Sequence, residues 1–187
     1  MANKVKYGLK NVHYAVAHIA TNGTATYDTP VAWPGAVNLS LDPAGETNKF
    51  YADNIAYAQF ASNAGYSGSF ESALVPEKFK TDVLGEVADT TGVLFEKAEA
   101  NAVPFALLFQ FEGDDAATRH VLYNCVATRP SISGSTTEES IEVQTESIDI
   151  SVSSIHNATL DADITKARCP QSLTTAYGAW FTSVYQA

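Results

Sequence analysis

Between Glu138 and Ile155 apolar side chains recur at every second position, with Ile141 and Val143 on one parity and Ile148, Ile150 and Val152 on the other. A period of two is the signature of a strand with one buried and one exposed face, and a chain patterned this way is steered towards sheets. The parity changes across Gln144 to Ser147, which predicts a bulge there. Val37, Leu39 and Leu41 alternate in the same way with Asn38, Ser40 and Asp42, and Tyr66 to Val75 alternates again. Asn11 to Ile19 carries apolar residues on both parities, as a strand covered on two faces does. Phe105–Phe111 and Arg119–Thr128 read as two further strands joined by the acidic turn Glu112-Gly113-Asp114-Asp115.

Turn chemistry punctuates these runs. Thr21-Asn22-Gly23-Thr24 predicts a hairpin with a type I′ turn, because Asn-Gly takes positive φ readily. The return strand, Ala25 to Trp33, contains Pro30 and ends at Pro34-Gly35, which places it at a sheet edge. Asp42-Pro43-Ala44-Gly45 reads as a turn closing the strand before it. Pro76 to Val87 is the best helix, with proline and Glu77 in the first turn, a Phe79, Val83 and Leu84 stripe, and Gly85 to end it. Leu173, Tyr177, Trp180, Phe181 and Val184 sit at helical spacing, so residues 171–185 are read as a C-terminal helix. With no repeat and no linker, the 187 residues form a single domain: all-β, a sandwich or barrel of six to nine strands with one or two flanking helices.

Composition removes several functional classes. Twenty-one acidic residues against eleven Lys and Arg give a net charge of −10, and no basic stripe is present, so tight binding to a phosphate backbone is not expected. No segment has the ~18 consecutive apolar residues of a membrane span, and the first residues lack the apolar run of an export signal, so the expectation is a protein made in the cytoplasm. Cys125 and Cys169 stand far apart and outside any Cys-x-x-Cys pair, which points to free thiols in a reducing compartment.

Catalytic and metal-binding patterns are missing from the sequence. His13 and His18 lie five apart on one strand and face opposite sides, and neither His120 nor His156 has a ligand partner at metal spacing. Gly65-Tyr66-Ser67-Gly68-Ser69 does not meet Gly-x-Ser-x-Gly and reads as a small-residue strand lying close to another backbone. Asp161-Ala162-Asp163 lacks the glycine and glutamate that complete a calcium loop. The expectation is no enzyme, no metal and no cofactor.

Phe50, Tyr51, Ile55, Tyr57 and Phe60 crowd the stretch from Glu46 to Gly65, among Asn, Ala and Asp. Three readings fit: internal core, a sugar-binding platform, or an arm over residues 43–65 whose Phe50, Tyr51, Asn54, Tyr57 and Phe60 touch a neighbouring subunit. Turn residues at both ends favour an excursion out of the sheet.

The order and spacing of several blocks resemble the major tail proteins, or tail tube proteins, of long-tailed, non-contractile phages of Gram-positive bacteria. The blocks are Met1-Ala2-Asn3-Lys4-Val5 with Gly8-Leu9-Lys10-Asn11-Val12, then Asn38-Leu39-Ser40-Leu41 to Gly45-Glu46, then Phe50-Tyr51-Ala52-Asp53-Asn54. Gly65-Tyr66-Ser67-Gly68, Leu84-Gly85, Pro104-Phe105-Ala106 and Ala179-Trp180-Phe181 complete the set, which spans the whole chain. The resemblance implies a tail-tube fold that completes a larger barrel when hexameric rings assemble and stack into a tube. It also implies partners: other copies of the chain, a tape-measure protein, tail-tip proteins and a terminator, in a virion tail through which DNA passes without specific binding. On that reading Glu142, Glu146 and Asp149 are the acids expected on the lumen wall. The other reading that the aromatics support is a carbohydrate-binding or adhesin-like β-sandwich.

Overall fold

A computed structural model describes residues 5–136 and 143–187. The chain begins with β1 (Tyr7–Ile19), β2 (Ala25–Tyr27), β3 (Val31–Ala32) and β4 (Ala36–Ala44), followed by β5 (Thr47–Ala52), β6 (Ile55–Ala61) and β7 (Gly65–Ser72). Helix α1 (Glu77–Asp82), β8 (Val87–Ala88) and β9 (Leu94–Phe95) come next, then β10 (Phe105–Glu112), β11 (Arg119–Ala127) and β12 (Glu146–Ser153). β13 (Ile155–Asn157), β14 (Ala162–Ile164), β15 (Lys166–Cys169) and α2 (Thr174–Ala179) end it. The protein is all-β with two short flanking helices.

One antiparallel sheet runs in the order β2-β1-β10-β11-β12-β7-β4, with β3 also on β1 and β15 also on β11. β15 pairs with residues 119–122 of β11 and β12 with residues 124–127, so the sheet forks along one edge of β11. β4 runs close to β1, which curls the sheet around an interior. Tyr14, Phe105, Leu107, Leu122, Ile148, Ile150 and Phe70 point into it, and α1 lays Phe79, fully buried, across the opening. Trp33 meets Phe70 edge-on at 4.9 Å and Phe79 at 4.3 Å, and Tyr14 meets Phe79 edge-on at 5.0 Å, geometry that aromatic quadrupoles favour. The Tyr14 hydroxyl donates to Asp82 at 3.1 Å, and burial together with that carboxylate pushes its pKa up.

The outer face of β1, β10 and β11 is covered as well. Ala15, Ala106, Leu108, Val121 and Tyr123 pack under Trp180 and Ile155, with Tyr177, Phe181 and Val184 alongside. Burial there lifts the Tyr123 hydroxyl to about 12. This double covering explains the continuous apolar run Phe105–Phe109, buried at every position. Cys125 is buried and forms no disulfide, and burial pushes its thiol pKa up.

Several local expectations need correction. The 20–24 connection is a hairpin, but Gly23 N–H bonds the Ala20 carbonyl and only Gly23 has positive φ, at 82°. It is therefore a three-residue loop with glycine at its left-handed position rather than a type I′ turn. Asp42-Pro43-Ala44 is no turn: β4 runs through it, and Pro43 is tolerated because β4 is an edge strand with one side unpaired. The C-terminal helix spans only residues 174–179, after which Trp180 anchors a non-helical tail. The strand expected from Glu138 is seen over Glu146–Ser153, and Ile141 lies outside the described residues.

Candidate assembly surface

β4 and β7 are the lower half of one long hairpin. Its ladder continues through the Ala64 N–H to the Ala44 carbonyl and the Ser62 N–H to the Glu46 carbonyl, into the β5–β6 ribbon beyond the sheet. The tip is closed by Asp53 and Asn54 at φ 53° and 61°. Two successive positive φ values in a two-residue loop make the type I′ turn, and Asp and Asn are the side-chain-bearing residues that tolerate it best. Asn54 thus has a conformational role at the tip, in addition to being displayed there.

The ribbon holds its aromatics away from the body. Phe50 is 58% exposed, Tyr51 63%, Tyr57 70% and Phe60 64%, with Ile55 also at 61%. Internal core is therefore the wrong reading of this stretch within one copy. Phe50 pairs with Ala58 and Asn48 with Phe60, so Phe50 and Phe60 share a face while Tyr51 stands on the other. The register shifts by one residue between Phe50 and Tyr51, which leaves Tyr57 as the extra residue of a bulge.

Below the ribbon the outer face of β4, β7 and β12 is polar and small. Register aligns Asn38 with Glu71 and Ser147, Ser40 with Ser69 and Asp149, and Asp42 with Ser67 and Ser151. These nine positions hold three carboxylates and no cation, and a shallow depression of about 380 Å³ lies among them. Two glycines let the strands approach so closely: a Cβ on Gly68 would stand 1.9 Å from the Ser40 carbonyl oxygen, and one on Gly65 1.8 Å from that of Val152.

Of the acids expected on one wall, Glu146 and Asp149 do not share a face. Asp149 lies exposed on this polar surface. Glu146 has the parity of buried Ile148 and accepts the Val75 N–H at 2.6 Å, with Lys80 3.9 Å away, which ties it to the start of α1. Glu142 lies outside the described residues. Asp42 and Glu71 take the places that sequence reading missed. Their signal was the polar parity of 38-40-42 and 67-69-71, legible once the two strands are known to be neighbours.

The histidines have separate, local partners. His13 stacks on Phe181 at 4.6 Å, His18 lies 3.1 Å from Asp28, His120 stacks on Phe109 at 5.2 Å and His156 lies 3.3 Å from Asp163. Among the described residues no three His, Cys, Asp or Glu side chains gather as metal ligands, and no helix is long and apolar enough to cross a membrane.

No protein-family model matches the chain, and no curated protein matches it.

Proposed function

We propose that this chain is a structural subunit that assembles with copies of itself, as a tail tube protein of a long-tailed, non-contractile phage does, into stacked hexameric rings around a DNA conduit. The observation that carries this reading is the β5–β6 ribbon. A two-stranded ribbon is marginal in water on its own, and this one displays five large apolar side chains on both faces. Covering each gives about 1.5–3 kcal/mol of transfer free energy. That sum is large enough to drive association after the entropy of docking is subtracted.

The polar face of β4, β7 and β12 suits the wall of the conduit. Duplex DNA carries one charge per ~1.7 Å of axis, and screening reaches only ~8 Å at physiological salt. A surface of serines with Asp42, Glu71 and Asp149 therefore offers passing DNA no cation to hold it. The unpaired edge of β4 adjoins this face and lets a neighbour's strand extend the sheet, so that a ring of copies closes a larger barrel.

Electron microscopy of concentrated protein tests the reading, with hollow tubes or rings as the expected result and dispersed single particles as the contrary one. The exposure of Tyr51, Tyr57 and Phe60 also suits a carbohydrate platform. On that second reading the protein stays monomeric and binds glycans on an array.

A further inference from the structure

The end of the β10–β11 pair where β10 stops and β11 starts is a cationic notch in an acidic protein. A cleft of about 550 Å³ there is lined by Lys6, Phe111, Asp114, Thr118, His120 and Arg168. A second, of about 460 Å³, shares His120 and Arg168 and adds Phe109 and Lys166. Lys6 Nζ sits 4.4 Å from the centre of the Phe111 ring, and Lys166 Nζ reaches the Tyr66 hydroxyl at 2.5 Å. Among the described residues none of Lys6, Lys166 and Arg168 has an ion-pair partner, although Lys10, Lys78 and Arg129 each bond a carboxylate at 2.8–2.9 Å. Asp114, the carboxylate among the lining residues of these two clefts, is occupied by the N–H groups of Ala116 and Thr118 in its own turn, and Glu112 at the start of that turn pairs with Lys10. Burial and then Lys6 hold the His120 pKa below its ordinary value; Asp114 opposes this, while Arg168 and Lys166 add to it.

The opposite end of the same strand pair carries the complement. Between α1 and β10 the short β8–β9 hairpin projects, with Val87 and Phe95 directly paired and both exposed, Phe95 at 55%. Glu86 and Glu99 flank it, neither with an ion pair among the described residues. Arg129, just beyond the end of β11, holds the hairpin there by bonding Glu96 and the Lys97 carbonyl, each at 2.8 Å. Eight residues of β10, about 25 Å of strand, separate projection from notch.

We propose that the Lys6–His120–Lys166–Arg168 notch receives the β8–β9 hairpin of a second copy, with Glu86 and Glu99 meeting the cations and Phe95 the aromatic walls. This rests on the assembly reading above and names its longitudinal contact. A projection and a notch at opposite ends make a heterologous contact, which repeats from copy to copy instead of closing on a dimer. The excess of acid then supplies the notch with its ligand from the same polypeptide.

Charge reversal tests this through the concentration at which assemblies appear in sedimentation. Lys166→Glu with Arg168→Glu, or Glu86→Lys with Glu99→Lys, raises that concentration at least about tenfold, because like charges then face one another. All four changes together bring it back to within about threefold of the wild type. Phe95→Ser, on an exposed residue that leaves the monomer's circular dichroism unchanged, weakens assembly on its own. Wild-type protein that never assembles overturns both this contact and the assembly reading. Assembly that proceeds unaffected in both reversed pairs overturns the contact alone, as does a quadruple variant that folds but is no better than either pair. Inorganic phosphate shifting the His120 resonances while the reversed pairs assemble normally identifies the notch as a small-anion site and also overturns it.

Discussion

Two groups of aromatic side chains have opposite fates in this molecule. Trp33, Phe70, Phe79 and Phe105 interlock inside the curled sheet at 2% exposure or less, whereas Phe50, Tyr51, Tyr57 and Phe60 stand 58–70% exposed on the ribbon. One hairpin carries both kinds, for Phe70 lies on β7 ten residues after Phe60 on β6. The difference is one of cover. β7 is flanked by β4 and β12 and its Phe70 packs on Trp33, while among the described residues β5 and β6 pair only with each other. Apolar content alone therefore does not decide what is core; the number of neighbouring elements does. On the proposed assembly, the ribbon's aromatics, which lack such neighbours within one copy, find them on another.

The largest expected effect is in the interior. Phe79→Ala removes the ring that α1 wedges between Trp33, Tyr14 and Phe105 and lowers stability by about 3–5 kcal/mol, read by chemical denaturation. A loss under about 1 kcal/mol would mean that the interior is not packed as described. Gly68→Ala comes next, because its methyl group runs into the Ser40 backbone and must part β4 from β7. Strand separation of that kind is expected to cost about 1–3 kcal/mol, as overpacking does, and to loosen the ribbon above it.

On the ribbon the signs separate. Replacing Phe50, Tyr51 and Tyr57 together with serine leaves monomer stability within about 1 kcal/mol, since exposed side chains contribute little, yet abolishes assembly. An equal loss of folding stability would erase the contrast between the two aromatic groups. Asn54→Val sharpens the comparison further: a β-branched residue at φ 61° strains the tip turn by about 1–2 kcal/mol and weakens assembly while the core is unaffected.

The smallest effect is a pH dependence at the notch. His120 is held neutral, mainly by burial and then by Lys6, so its folded pKa lies below the unfolded one. The unfolded chain then binds more protons, and stability is lost as pH falls from about 6.5 towards the lower folded value. His120→Gln should flatten the melting temperature between pH 7 and 5. A wild type that gains stability on acidification in that window contradicts the sign.

Sequence reading reached most of the strands because their pattern is local. Ile148, Ile150 and Val152 declare the buried face of β12, and Phe79 declares that of α1, which ends at Asp82 and leaves Val83 and Leu84 buried just past it. Turn residues at both ends mark the aromatic stretch as an excursion, although the first of these brackets, Asp42-Pro43-Ala44, is strand. What was missed depends on pairing across the chain. Pro43 looked like a turn because its edge position, which makes proline harmless in a strand, comes from the order β7-β4. Glu146 looked exposed because the N–H it serves belongs to Val75, seventy-one residues away. The acid-and-serine face exists only when Asp42, Ser67 and Ser151 are brought into register. The notch likewise joins Lys6 to Lys166 and Arg168 from opposite ends of the chain.

Hydroxyl-radical footprinting of the ribbon at low and high protein concentration tests the central claim most directly. Phe50, Tyr51, Tyr57 and Phe60 should be labelled freely in dilute protein and become protected together as assemblies form, while Trp33 and Phe79 stay protected throughout. Aromatics already protected in the dilute monomer, or still labelled in the assembled state, would contradict an arm that waits for a neighbour.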